Sequence, residues 1–229
     1  MRIAREGLPF IAAFLAVAAL PAAAAVGLFD VSARTGVLVA LPGALLAVFS
    51  VWFFRDPDRT PPADPLLVVA PADGRVVAIR EGPDGASLAI FLSVFDVHVN
   101  RAPFAGEVVR VSYREGRFLA AFNERAGEAN EQNEIELSTA SGPVTVTQIA
   151  GLIARRIICK VRPGDRLASG DRFGMIRFGS RTDLVLPPGA RLMVRRGDRV
   201  KGGATPVARM PEAGVASAAV SSAASGGAA

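Results

Sequence analysis

At 229 residues the chain is long enough for one domain with a sizeable core plus additional segments. Its net charge of +5 is carried by arginine, since Lys160 and Lys201 are the only lysines, and such a balance suits an anionic partner. One cysteine, Cys159, excludes an intramolecular disulfide framework, and with one histidine, His98, it excludes cysteine-rich and multi-histidine metal sites, so no metal is expected.

Mean hydropathy is +0.35, and the apolar excess sits at the N-terminus. Gly7 to Phe29 and Thr35 to Phe54 are free of charge, and each is long enough to cross a bilayer core. Asp30-Val-Ser-Ala-Arg34 joins them, which predicts a helical hairpin over residues 1–60 together with its juxtamembrane link. Pro9, Pro21 and Pro42 would kink the helices or permit a re-entrant arrangement. Trp52, Phe53 and Phe54 stand where an interfacial aromatic belt is expected, just before Arg55 and Arg59. The competing reading is a cleaved signal peptide built on Arg2, Arg5 and the small residues Ala22 to Ala25. The second segment then acts as stop-transfer, so both readings put residue 55 onward on the cytoplasmic face of the inner membrane. No aromatic-interleaved basic stretch or zinc-finger spacing points to nucleic acid.

Residues 61–210 read as a second, β-rich domain. Short apolar runs separated by Gly, Pro and Asp turns predict strands at Leu66–Ala70, Arg75–Ile79, Ser87–Ser93, Gly106–Ser112, Asn133–Ser138, Val144–Ile149, Ile157–Val161 and Arg172–Phe178. Leu184–Leu186 and Arg191–Val194 add two shorter ones. Gly116 to Asn130 is the best helical or loop candidate. The expected fold class is mainly β (α+β), an antiparallel barrel or sandwich preceded by the helical hairpin. Val161-Arg-Pro-Gly-Asp-Arg-Leu-Ala-Ser-Gly170 recurs 33 residues later as Val194-Arg-Arg-Gly-Asp-Arg-Val-Lys-Gly-Gly203. Two like turns at equivalent corners of a pseudo-symmetric fold account for this, and biotinyl- and lipoyl-like domains use similar Gly-Asp turns. Residues 211–229 are Ala/Ser/Gly-rich, the composition of a disordered tail.

Three places carry candidate chemistry. Ala70-Pro-Ala-Asp-Gly74 sets Asp73 in a tight turn, although Asp-Gly is also an ordinary turn pair. Asp96-Val-His-Val-Asn-Arg-Ala-Pro103 places His98 in an apolar run, where a lone histidine is often structural. Phe178-Gly-Ser-Arg181 holds a Gly-Ser pair, common in turns, but with a chemical option. Glycine lets the backbone bend until the serine hydroxyl reaches the preceding carbonyl. The resulting ester is open to β-elimination, which leaves dehydroalanine and then a pyruvoyl group. An acid, an imidazole and a hydroxyl are also the parts for activating a serine.

Together with Phe54-Arg-Asp-Pro-Asp-Arg59, Gly106 and Asn130-Glu-Gln-Asn-Glu134, these motifs resemble the phosphatidylserine decarboxylase family, in its short bacterial and archaeal form, over roughly residues 50–208. The resemblance implies self-cleavage between Gly179 and Ser180 into chains of residues 1–179 and 180–229, held together as a heterodimer, with a higher oligomer left open. It implies a pyruvoyl group made from Ser180, with Asp73 and His98 assisting. It implies decarboxylation of membrane phosphatidylserine to phosphatidylethanolamine through a Schiff base. The chain departs from long-form members at Arg101, where a second histidine is usual, at Phe178 and Arg181 around the Gly-Ser pair, and at Gln132, where arginine is common. Arg101 and Arg181 are the candidates for holding the substrate's phosphate or carboxylate. A pyridoxal phosphate enzyme needs an anchoring lysine, and neither Lys160 nor Lys201 lies in a phosphate-cradling glycine loop. Two alternatives remain: a membrane-tethered biotinyl/lipoyl-like adaptor, and a decarboxylase of a related serine-headed lipid. A serine hydrolase fits less well, because the Gly-X-Ser-X-Gly elbow is absent.

Overall fold

The computed structural model describes residues 2–29, 32–119, 126–152, 156–177 and 180–212, in two compact units, Met1–Asp58 and Arg59–Ala229. In the first unit the short strands β1 (Arg2–Ile3) and β2 (Arg55–Asp56) pair antiparallel at the base of helices α1 (Leu8–Phe29) and α2 (Ala33–Phe53). Pro21 and Pro42 lie inside continuous helices, so neither breaks its span. The helices meet through small residues: a Cβ on Gly43 would fall 2.6 Å from the Ala18 backbone nitrogen. Such close approach is how helices associate where apolar side chains gain nothing from leaving water. Leu15, Leu20, Leu38 and Val48 are exposed, and both helices are long and apolar enough to cross a membrane.

The second unit is built from β3 (Leu67–Val69), β4 (Gly74–Gly82), β5 (Gly85–Leu92), β6 (Val99–Arg101), β7 (Gly106–Arg114), α3 (Ala126–Ala129), β8 (Gln132–Thr139), β9 (Gly142–Ile149) and β10 (Ile157–Cys159). They are followed by β11 (Arg166–Leu167), β12 (Arg172–Ile176), β13 (Ser180–Leu186), β14 (Arg191–Leu192), β15 (Arg199–Val200) and β16 (Pro206–Arg209). An eight-stranded antiparallel sheet in the order β11-β7-β8-β9-β13-β5-β4-β15 curls into a half-barrel, accompanied by the three-stranded sheets β10-β12-β6 and β14-β16-β3. The fold class is mainly β, as expected. Alternation along the strands buries Leu88, Ile90, Ile135, Leu137, Val144, Val146, Leu184 and Leu186 on one face, and these form the core.

The 33-residue repeat is a structural one. Gly164 and Gly197 adopt φ of +95° and +101°, a region glycine enters without penalty. The two turns then make matching bonds: Arg162 N and Arg195 N donate to Asp165 and Asp198 at 2.9 and 2.8 Å. Gly164 N and Gly197 N donate to the carbonyls of Val108 and Val76, both at 2.8 Å. Each turn thereby closes one edge of the large sheet, through β11 on β7 and β15 on β4.

The symmetry extends further than the sequence motif. Arg101 N donates to the Pro71 carbonyl and Val69 N to the Pro103 carbonyl, both at 2.9 Å, so Ala70-Pro-Ala-Asp-Gly74 faces a twin, Ala102-Pro-Phe-Ala-Gly106. One half comprises β3–β5 with β13–β16, and the other comprises β6–β12. In the second half, β8 and β9 join through a tight hairpin, Thr139 facing Gly142. In the first, the equivalent corner, Leu92 facing Ser180, is where the whole second half is inserted. The chain leaves this corner towards His98 and returns to it at Ser180.

Several strand boundaries differ from expectation. β13 starts at Ser180 rather than Leu184, because Arg181 and Asp183 occupy its outer face and hide the inward alternation of Ser180, Thr182, Leu184 and Leu186. The runs from Ile157 and Arg172 stop at Cys159 and Ile176. β6, β11, β15 and β16 are too short or too polar to read as apolar runs. Within Gly116–Asn130, only Ala126–Ala129 is helical among the described residues, and Arg117 forms a parallel bridge with Asn130. The expected disordered tail lies outside the described residues beyond Glu212.

Candidate active site

The inner face of the large sheet changes character along its strands. One row across it, Ile135, Val146, Leu184 and Leu88, is wholly apolar. One step towards the inserted half, the row is Asn133, Gln148, Thr182 and Ile90. The next step holds Ser180 beside Leu92. Three adjacent strands thus end their apolar alternation in polar side chains at the same end.

These polar groups are buried, and they are paired. Asn133 Nδ2 donates to Gln148 Oε1 at 3.1 Å, and Gln148 Nε2 donates to Asn100 Oδ1 at 2.9 Å. Asn100 Nδ2 donates to Thr182 Oγ1 at 3.2 Å. All four are at most 3% exposed, so each unmade bond would leave a polar atom stranded at a cost of about 1–3 kcal/mol. Asn100 belongs to β6 and Thr182 to β13, so the chain of bonds ties the entry of the inserted half to its exit. His98 lies two residues before Asn100, and Ser180 two residues before Thr182. Period-two alternation therefore carries both towards the same region.

Ser180 is completely buried and, among the described residues, its Oγ has no hydrogen-bond partner. A buried hydroxyl left unpaired asks for an explanation, and a reactive role is one. Gly179, the other half of the expected cleavage site, lies outside the described residues, as does Phe178. His98 is also completely buried, with Nδ1 2.9 Å from the Asp96 carbonyl. A carbonyl only accepts, so Nδ1 donates this bond and carries a proton. The Asp96 carboxylate accepts from Ser93 N at 2.8 Å and Ser93 Oγ at 2.6 Å, which fixes the turn that presents His98. The backbone carbonyl of His98 accepts from Ile176 N at 3.3 Å, so residue 98 lies beside the end of β12.

Asp73 stands in the turn before β4. Its carboxylate accepts from Arg59 at 2.9 Å and from Gly202 N at 2.8 Å. β5 separates β4 from β13, so two interstrand steps, roughly 9–10 Å, lie between the start of β4 and Ser180. In the twin turn the position of Asp73 is filled by Ala105, so the turn itself does not require an acid. Arg101 is 4% exposed, and its guanidinium donates to the Gly170 carbonyl at 3.0 Å. Arg181 points to the face opposite Ser180 and forks onto Asp183, Nε to Oδ1 at 2.6 Å and a terminal nitrogen to Oδ2 at 2.7 Å. Ser180, His98 and the Asp73 turn are therefore gathered at one end of the domain, whereas Arg181 faces away.

Sequence reasoning passed over Asn100, Gln148, Asn133 and Thr182. For three of them the signal was present: Asn133, Gln148 and Thr182 each follow or precede apolar residues at period two and interrupt that pattern at the same strand end.

The fold and this corner describe a β domain with a serine buried where one half of the chain rejoins the other, on a polypeptide that also carries an apolar helix pair. The phosphatidylserine decarboxylase family profile matches residues 46–208. A protein of Symbiobacterium thermophilum named phosphatidylserine decarboxylase proenzyme is 48% identical over 92% of this chain and 96% of its own. Proteins of the same name from Solibacter usitatus and Aromatoleum aromaticum are each 46% identical over 91% of this chain, covering 97% and 96% of their own lengths. This chain belongs to the phosphatidylserine decarboxylase family.

Proposed function

We propose that this protein is a phosphatidylserine decarboxylase that makes its own pyruvoyl group by breaking the Gly179–Ser180 bond. The observation that carries this reading is the buried, unpartnered hydroxyl of Ser180 at the corner where the inserted half returns. A hydroxyl already bonded elsewhere would have to give up that bond before attacking; this one does not.

In the cleavage step the Ser180 oxygen adds to the Gly179 carbonyl carbon and the amide nitrogen leaves as the free amine of residue 180. His98, through Nε2, takes the hydroxyl proton and returns one to the departing nitrogen. The ester that results loses the Cα proton of residue 180 and eliminates the Gly179 carboxylate. Water then replaces the nitrogen of the dehydroalanine, releasing ammonia and leaving a ketone at the new chain end. The Asp73 carboxylate, held by Arg59 and by Gly202 N, assists from the turn at this end of the domain.

A pyruvoyl group, once formed, supplies a carbonyl that condenses with the substrate amine and an electron sink for the carbanion left by CO₂. Burial of Ser180 keeps that centre out of bulk water, and His98 delivers the proton to the substrate's α-carbon. Arg101 belongs to the same strand as Asn100 and supplies positive charge for the substrate's anionic groups. The two apolar helices hold the domain at the membrane, with the catalytic unit on the cytoplasmic face, and the two chains made by cleavage stay together through the ladders on both sides of β13.

The test uses the full chain in detergent micelles containing phosphatidylserine. Intact mass should give fragments of 179 and 50 residues, the shorter with a blocked N-terminus, together with release of CO₂ and phosphatidylethanolamine. A single uncleaved polypeptide with activity would reject self-processing. A single inactive one would favour the tethered adaptor.

A further inference from the structure

We infer that the Arg181–Asp183 fork is a clamp that holds the chain end created by cleavage, so that the ketone at residue 180 stays in register. The inference rests on the proposed self-cleavage at Ser180 and concerns what happens after it.

Before cleavage, Ser180 is an interior residue, tethered on both sides by the backbone. Afterwards it is the first residue of a 50-residue chain, and first residues fray unless tied down. A reactive centre on such an end needs restraints within one or two residues of itself. The structure supplies them from both faces of β13. On the inner face, Thr182 is bonded to Asn100. On the outer face, Arg181 forks onto Asp183 with side chains only 15% and 24% exposed, and Gly127 of α3 lies over the guanidinium, whose NH2 would be 3.5 Å from a Cβ built there. β5 and β9 pair with β13 on either side, with Arg181 opposite both Phe91 and Ile149.

The fork is poorly explained by stability alone. Burial pushes the Asp183 carboxyl up, and the attraction of Arg181, and more weakly of Arg80, does not bring it back to the ordinary value. A half-buried ion pair of that kind is weak support for a fold and strong support for a geometry. As an i,i+2 pair on one strand, the fork also makes two hydrogen bonds that cross-link no second element. What it does fix is the direction of the backbone between residues 181 and 183, which aims residue 180.

Asp183→Asn and Arg181→Gln in the full chain separate the two stages. Both variants should still cleave, because the intact backbone holds Ser180 before there is an end. Turnover per cleaved molecule should then fall by up to about 100-fold, the scale set by an ångström of misplacement, with KM changed much less. Arg181→Lys keeps the charge but loses the fork, and should fall with the glutamine variant. Hydrogen exchange gives a readout independent of activity. The Thr182 and Asp183 amides should be as protected in cleaved wild type as in uncleaved Ser180→Ala, and should lose protection in cleaved Asp183→Asn. Variants with wild-type turnover and wild-type protection overturn the clamp. So do variants that fail to cleave, since the pair would then act before the end exists. An uncleaved wild type would instead reject the parent reading.

Discussion

The two ends of the large sheet are made by the same strands and do opposite work. At one end β8, β9, β13 and β5 contribute Ile135, Val146, Leu184 and Leu88, which need only be apolar and fit. At the other, β8, β9 and β13 contribute Asn133, Gln148 and Thr182, then Ser180, each with a specific partner or, among the described residues, none, while β5 stays apolar with Ile90 and Leu92. The difference teaches that the site is no separate module. It is the end of the core where an inserted half-domain crosses in and out, and where polar groups replace packing with directed bonds.

Substitutions can break that contrast, and the largest effects belong at the polar end. Ser180→Ala should abolish cleavage and activity together, with one 229-residue chain on a denaturing gel; a cleaved variant would remove Ser180 from the chemistry. His98→Ala should slow processing by about 10²–10⁴-fold, the usual contribution of a placed acid–base, as followed by the appearance of the short fragment with time. Cleavage at the wild-type rate would return His98 to a structural role. Leu184→Ala sits in the apolar row and should cost about 2–5 kcal/mol in denaturant unfolding while the folded protein still cleaves. Gln148→Leu lies between the two regimes. It strands Asn133 and Asn100, so a smaller loss, about 1–3 kcal/mol, should accompany a measurable slowing of cleavage. If it destabilised as Leu184→Ala does and left cleavage untouched, the polar row would be core and nothing more.

The smallest effect lies at the exposed end of β7, at the chain's one tyrosine. The Tyr113 hydroxyl donates to the Glu131 carboxylate, and this bond, then burial, then the charges of Glu131 and Glu115 push the phenol up to about 12. Its proton is held more tightly in the folded state than at the ordinary value of 10.0, so this contribution is complete below pH 10 and is lost as pH rises through about 12. Ultraviolet titration of the single phenol in wild type and in Glu131→Gln reads it directly. Coincident curves would remove the Glu131 contact as the cause.

Much of this was legible in the sequence where a local pattern has a local cause. Charge-free stretches gave the helix pair, and Gly-Asp turns 33 residues apart gave the two edge closures, since positive φ at Gly164 and Gly197 is a demand the turn makes on its own residue. Serine, histidine and the Asp73 turn were visible as motifs. What was not legible depends on strands far apart in the chain. Thr182 and Asn100 are 82 positions apart and acquire meaning only when β6 meets β13. Arg181 stood out as a candidate for the substrate's anionic groups because it follows Ser180 in sequence, yet alternation along a strand sends neighbours to opposite faces. The inserted half, which sets His98 and Ser180 at one corner, repeats its twin in bonds far more than in residues.

Reductive trapping tests the central claim most directly. The purified full chain is treated with borohydride in the presence of phosphatidylserine, and the adduct is located by mass. A ketone made from the backbone predicts a covalent lipid-derived mass on residue 180, at the N-terminus of the short chain and absent from Ser180→Ala. An adduct on Lys160 or Lys201, or active enzyme that traps nothing, would contradict it.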